Sequence, residues 1–234
     1  VTIYMSKTFK DLSIITSITL LLTFFVWLPH ILRLDIYGLN FSEGFNTIYR
    51  NYDGMEYITI AKTLYFPEQI KNIPQPLPAL YYAAHFPGYS LAILVFAPLL
   101  GFLKSMIFVA LLFTILSAWM FYLLVKDFEL SKHPLWLTLL FLILPARWLI
   151  IHSVGSSETM FGFFIISALY FLMKYEATHK WKFIYLTGLM GFGAQITRPP
   201  GALLAIAIGL YILWKLYQSK QNIFKGIAQA FYRY

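Results

Sequence analysis

The chain has 234 residues, of which 59% are hydrophobic, 19% aromatic and only 12% charged, against roughly 25% charged in an ordinary soluble domain. A water-soluble fold of this size could not hide so much apolar surface, because about 30% of the area of the unfolded chain stays in water even after folding. There is no cysteine, which excludes disulfide scaffolds, Cys-ligated zinc, iron–sulfur clusters and thiol nucleophiles; the net charge of +8 is dispersed among apolar runs and does not cluster as a nucleic-acid face would.

A transmembrane helix needs about 20 mostly apolar residues. Six runs meet or approach that length: Leu12–Ile31, Met106–Val125, Pro134–Ile151, Thr159–Met173, Phe183–Ile196 and Gly201–Leu216. The fourth and fifth need flanking residues to complete a crossing. The first reads as an anchor, because it is too long for a secretory peptide and no small-residue cleavage site follows it. A seventh run, Pro87–Leu103, holds Gly88, Pro98 and Gly101 and is ambiguous, since Pro and Gly loosen a helix that must satisfy its own backbone in lipid.

The positive-inside rule bears on that run, because one extra crossing inverts every later loop. If it lies in or re-enters the outer interface, eleven of the eighteen basic residues gather inside: Lys7, Lys10, Lys126, Lys132, Lys174, Lys180, Lys182, Lys215, Lys220, Lys225 and Arg233. A full crossing sends nine of them outside. The expected fold is therefore an all-α polytopic membrane protein, a single module over 1–234. It has about six transmembrane helices and a long outer loop of about 32–105 that carries amphipathic or re-entrant helices. The N-terminus is expected in the cytoplasm, in a plasma membrane or its ER equivalent.

In so apolar a chain, ionisable residues that the topology does not explain are the informative ones. The outer loop holds Tyr52-Asp53-Gly54-Met55-Glu56-Tyr57, which opens a helical pattern. Tyr57, Ile58, Ala61, Leu64 and Tyr65 share one face and Thr59, Lys62 and Thr63 lie opposite. The pattern predicts a helix resting apolar face down on the membrane surface. Asp followed three residues later by Glu is also the spacing of a helix cap with its capping-box partner. A carboxylate at that interface could equally take a proton from an attacking hydroxyl.

His85, in Ala84-His85-Phe86-Pro87-Gly88-Tyr89, reads as an interfacial anchor or as a hydrogen-bond donor to a phosphate or sugar. Ser157 and Glu158 sit between the third and fourth spans, where a negative charge at a helix N-terminus is favourable by about 0.3–1 kcal/mol. Arg147 precedes that tip, and Arg198 stands in Ile196-Thr197-Arg198-Pro199-Pro200-Gly201. A turn explains the prolines and the glycine but leaves the arginine over, and a guanidinium at a membrane edge matches a phosphate or diphosphate headgroup. Two acids and two arginines are thus expected on one face. The sequon match Asn40-Phe41-Ser42 is of a length frequent by chance. No spacing resembles a metal site, a P-loop, a dinucleotide fingerprint or a Ser–His–Asp signature, so no metal ligand or cofactor is assigned, and help from a divalent cation stays open.

At these residues the sequence resembles the membrane-embedded GT-C glycosyltransferases that use lipid-phosphate sugars. Within them it is most similar to the mannosyltransferases that add the second mannose to GPI anchors and to their prokaryotic relatives. The family pattern Asp-Gly-x-x-Tyr-x-x-Ile-Ala-x-x-x-Tyr is met by Asp53, Gly54, Tyr57, Ile60 (with Ile58 nearby), Ala61 and Tyr65. Phe-Phe-Pro-x-Tyr-Pro is similar to His85-Phe86-Pro87-Gly88-Tyr89-Ser90. The segment Leu144-Pro145 through Ser157-Glu158-Thr159-Met160-Phe161 resembles Phe-Pro followed by Ser-Glu-Ser-Leu-Phe, and Ile196–Gly201 echoes Leu-Thr-Arg-Pro-x-Gly. The motifs run in order from about Tyr52 to Leu210. This chain departs from the family at Tyr52, where Trp is common, and at Ser90, where Pro is.

The resemblance implies inverting transfer of a sugar, by family default mannose, from a polyprenyl-phosphate carrier on the outer face to an acceptor hydroxyl of a glycan, lipid or protein. It implies Asp53 as base, Glu158 as a second acid, and Arg198 steadying the phosphate leaving group. Glu56, Tyr57, His85, Arg147 and Ser157 stand near as substrate contacts. Relatives are longer, so the chain is expected to be a C-terminally truncated or minimal module. Two other functions stay open on the residues alone: a transporter or flippase fragment that binds a headgroup or ion without chemistry, and a non-catalytic membrane subunit. Transporters keep acids near the midplane, whereas Asp53, Glu158 and Arg198 fall at span ends.

Overall fold

Apolar runs without internal breakers can pair their N–H and C=O groups in lipid only as uninterrupted helices, and the computed structural model is organised by that constraint. It describes residues 2–36, 38–74 and 77–218. In chain order these form α1 (Thr2–Leu32), β1 (Asp35–Ile36), β2 (Leu39–Asn40), α2 (Phe45–Arg50), α3 (Gly54–Thr63), α4 (Pro67–Ile70) and α5 (Ala79–Tyr82). There follow α6 (Pro87–Leu100), α7 (Phe102–Asp127), α8 (Pro134–Ile143), α9 (Ala146–Ile151), α10 (Glu158–Thr178), α11 (Trp181–Thr197) and α12 (Gly201–Gln218). The two strands make a small antiparallel ribbon in which Asp35 faces Asn40 and Ile36 faces Leu39. The Asn40 side chain accepts the Ser42 N–H at 2.7 Å, so the sequon asparagine closes a local turn.

Among the described residues three helices are long and apolar enough to cross a membrane, Lys7–Leu32, Phe102–Asp127 and Glu158–Thr178, and Pro87–Leu100, Pro134–Ile143 and Gly201–Lys215 are shorter apolar helices. Their outward side chains are apolar too: Phe25 is 72% and Leu99 84% exposed, a surface that water disfavours and lipid tails accept. The chain is thus an all-α protein suited to a bilayer. Helix α7 is its axis and packs on α1, α3, α6, α8 and α10. At one end of the bundle the Tyr122 hydroxyl donates to Asp11 Oδ2 of α1 at 2.6 Å and Lys174 of α10 pairs with Asp127 at 2.7 Å. At the other, Trp27 Nε1 of α1 donates to the Ser153 carbonyl at 2.7 Å. Around it lies the main core, which includes Tyr57, Ile58, Tyr89, Ile93, Met106, Val109 and Met160, each large apolar side chain contributing about 1.5–3 kcal/mol by burial.

The structure departs from the sequence reading in three places. The run Pro134–Ile151 is two helices, α8 and α9, broken at Leu144 and Pro145, because a proline has no N–H and its ring collides with the turn before it. The ambiguous seventh run ends as a helix at Leu100, and Gly101, with φ +74°, turns the chain straight into α7. Tyr89 near the start of α6 donates its hydroxyl to the Met106 carbonyl at 2.7 Å, so both ends of α6 are tied to the first turns of α7.

Helix α3, the third case, turns its apolar face to protein. Tyr57, Ile58 and Ala61 are buried against α6 and α7. Leu64 is not on that face. The helix stops at Thr63, Leu64 adopts a left-handed conformation (φ +46°) and is exposed, and Thr63, expected on the polar side, is buried with its hydroxyl bonded to the Thr59 carbonyl at 2.8 Å. Of the basic residues expected on the inner side, Lys220, Lys225 and Arg233 lie outside the described residues.

Gly88 permits the contact between α6 and the end of α11: a Cβ there would stand 2.8 Å from the Ile196 carbonyl oxygen, which is backbone and cannot swing away. Gly88→Ala is expected to cost about 1–3 kcal/mol by overpacking, read as a lower melting temperature of the detergent-solubilised protein. Gly209→Ala, with nothing within 4 Å of the added carbon, should stay within about 0.5 kcal/mol of wild type. Equal melting of the two variants would contradict the packing of α6 on α11.

Candidate functional site

A proline-directed helix end and a helix start build the charged half of the site. Arg198 ends α11 in an extended conformation (φ −150°, ψ 146°), as a residue before proline must, and this swings its side chain off the helix axis. Glu158 opens α10, where the positive helix end favours an acid. Ser156 fixes it from both directions, accepting the Glu158 N–H at 3.3 Å and donating to Glu158 Oε2. Arg198 Nη1 then pairs with Glu158 Oε1 at 2.5 Å, with both side chains about one-third exposed, and donates to Ser157 Oγ at 3.3 Å.

Tyr57 of α3 joins this half to the other. Its hydroxyl lies 2.8 Å from Ser157 Oγ, and its ring meets His85 and Tyr89 edge-on at centroid distances of 5.3 and 5.0 Å. Ser90 Oγ donates to the Tyr57 carbonyl at 3.0 Å, which fixes α3 on α6. Burial, with smaller contributions from Glu158 and Asp53, raises the Tyr57 phenol above its ordinary value against the opposing pull of Ser157 and Arg198. At neutral pH the phenol is therefore an uncharged hydroxyl set between the charges.

The second half is Asp53 and His85, whose Oδ2 and Nε2 lie 3.7 Å apart. The Tyr65 hydroxyl donates to the His85 carbonyl at 2.6 Å, and His85 Nδ1 lies 3.4 Å from the Tyr81 carbonyl. Burial pushes the Tyr65 phenol up to about 12, which keeps it a donor. The His85 side chain is only 10% exposed, whereas that of Asp53 is 59% exposed. Asp53 holds the cap position of α3 yet makes no side-chain cap hydrogen bond. The capping role that the spacing allowed is thus not taken up, and the carboxylate faces solvent and His85.

Not every expected residue joins. Glu56, in the first turn of α3, is half-buried and takes no part in the network. Arg147 of α9 is exposed on the rim, its guanidinium 5.9 Å from the Tyr52 ring centroid, next to Asp53 in sequence but unpaired with either acid. Ser156, Tyr65 and Ser90 position the site without having been assigned a role from sequence. Tyr65 carried a signal as the last position of the family pattern, and Ser156 as a serine two residues before an acid at a helix start. Among the described residues no group of His, Cys, Asp and Glu side chains could hold a metal ion.

Chemically, the arrangement offers an open carboxylate able to accept a proton and a guanidinium suited to an oxyanion, separated by a neutral phenol. Comparison of the chain with protein-family models, with curated proteins and with solved structures finds no match.

The bond between Tyr57 and Ser157 is the covalently simplest joint to test. Tyr57→Phe and Ser157→Ala are each expected to cost about 1–2 kcal/mol in chemical unfolding, and the double variant should reveal a coupling of about 0.5 kcal/mol or more. Strict additivity would mean that the two halves are held independently.

Proposed function

We propose that the chain is a membrane-embedded glycosyltransferase of the GT-C type, moving a sugar, by family default mannose, from a polyprenyl-phosphate carrier to an acceptor hydroxyl. In this reading α1, α7, the α8–α9 pair, α10, α11 and α12 are the six crossings. Helix α6 stays at the end of the bundle that carries the site, and that end faces outward. Lys7, Lys126, Lys132, Lys174, Lys180 and Lys182 fall at the opposite, cytoplasmic end.

The observation that carries the reading is the placement of a solvent-open carboxylate, Asp53, and a guanidinium, Arg198, in one network, linked through His85, Tyr57 and Ser157. Asp53 takes the proton of the acceptor hydroxyl while that oxygen attacks the anomeric carbon. The bond from that carbon to the phosphate oxygen breaks on the opposite side, its electron pair leaves with the lipid phosphate, and Arg198 stabilises the added charge. Glu158, paired with Arg198 at 2.5 Å, holds the guanidinium in place. The exposure of Asp53 leaves room for an acceptor, and His85 at 3.7 Å orients the carboxylate.

The reading is tested with radiolabelled polyprenyl-phosphate mannose in membranes expressing the chain. Wild type is expected to transfer label, Asp53→Asn to lose about 10²–10⁴-fold, and Arg198→Lys to fall less than Arg198→Ala because it keeps the charge but not the planar fork. Transfer by Asp53→Asn at the wild-type rate would remove Asp53 from the chemistry. Transfer by Arg198→Ala at that rate would remove Arg198.

A further inference from the structure

The end of the bundle away from the candidate site holds a cavity of about 380 Å³ between the start of α1, the end of α7 and the start of α8. Its charge is one-sided: Lys7, Lys126 and Lys132 line it with a single acid, Asp11, and His133 beside them. Asp11 is 9% exposed, and its Oδ2 accepts the Tyr122 hydroxyl at 2.6 Å. Lys126 Nζ donates to Thr8 Oγ1 at 2.6 Å, which holds that ammonium against the cavity wall. Lys7 and Lys132 are exposed at the mouth. An orientation signal requires lysines only somewhere on one side of the membrane; here three, brought from distant parts of the chain, surround one concavity with a formal excess of two positive charges over the acid.

The backbone adds to the same field. Helix α8 begins with Pro134 in its first turn, and no side chain caps it, so the positive end of its dipole meets the cavity. The cavity is also level with the ends of the apolar segments Lys7–Leu32 and Phe102–Asp127, the depth at which lipid phosphates lie. Lysine binds phosphate as a point charge, and a volume of this size admits a phosphate with its ester substituent.

We propose that this cavity is a phosphate-binding site that takes the headgroup of an anionic phospholipid, a function separate from the transferase reading and independent of it. Free phosphate shares the recognition chemistry, and the experiment separates the two sources. The detergent-solubilised chain is titrated calorimetrically with dihexanoyl phosphatidylglycerol, dihexanoyl phosphatidylcholine and inorganic phosphate. Wild type, Lys7→Ala/Lys132→Ala and, as a control at the other end of α7, Lys104→Ala are compared.

Wild type and Lys104→Ala should bind phosphatidylglycerol alike and in preference to phosphatidylcholine, and the double variant should bind it about tenfold or more weakly. Binding of inorganic phosphate that displaces the lipid and is lost in the same double variant would support the site and assign it to free phosphate. Saturation by lipid with no displacement would support it and assign it to the headgroup. Equal binding of phosphatidylglycerol by wild type and the double variant, or no preference over phosphatidylcholine, would overturn the proposal. Because both substituted lysines are exposed, the variants should melt with wild type, which keeps a loss of binding separate from a loss of fold.

Discussion

Satisfying every backbone polar group without water is the constraint from which the rest of this molecule follows. It turns the apolar runs into helices and favours hydroxyls within them that bond back to their own helix. Thr16, Thr19, Thr114, Thr138 and Thr187 each donate to the carbonyl four residues earlier. With these groups occupied inside their own helices, few polar contacts remain to join one helix to another, and most charged ones are found at the two ends of the bundle. Asp11, Asp127 and Lys174 tie one end. Glu158, Arg198 and Ser157 tie the other.

What brings the site together at its end is the close approach of backbone to side chain. Met106, fully buried at the start of α7, fills the space left by Gly54 and Gly155, and a Cβ at Gly54 would stand 2.8 Å from its sulfur. One methionine thereby holds the head of α3 and the loop before α10 at a common point. Asp53 and Ser156 adjoin these two glycines in sequence. A flexible thioether suits a gap of this irregular shape, and the hydroxyl bond from Tyr57 to Ser157 closes over it.

Charge in the site is divided. Arg198 and Glu158 neutralise one another at close range, whereas Asp53 keeps a solvent-open carboxylate with an imidazole beside it. Burial holds the Tyr57 phenol protonated between them. Such a division leaves Asp53 free to accept a proton, because the guanidinium that would otherwise occupy it is held by Glu158. The far end is organised differently. There Asp11 is bonded to a buried tyrosine, Asp127 is paired with Lys174, and Lys7, Lys126 and Lys132 line a cavity.

The helices were legible in the sequence because their signal is composition over about twenty residues, and composition does not depend on what packs against it. The breaks at Pro145 and Gly101 were half legible. Proline and glycine mark where a helix can fail, but only the structure shows that the helix from Pro87 ends at Leu100 and that the bond from Tyr89 to Met106 ties α6 to the start of α7. The candidate residues Asp53, Tyr57, His85, Glu158 and Arg198 stood out because a charged or polar group is rare in such a chain. The periodicity of α3 gave its apolar face but not what covers it, since lipid and protein present the same apolar surface to such a stripe. Only the tertiary structure decided that α6 and α7 cover it, that Asp53 is an open carboxylate instead of a cap, that Glu56 and Arg147 stand apart, and that Ser156 holds Glu158 for Arg198. Apart from the local bond from Ser156 to Glu158, these depend on distances between segments up to a hundred or more residues apart, and no local pattern in the sequence encodes them.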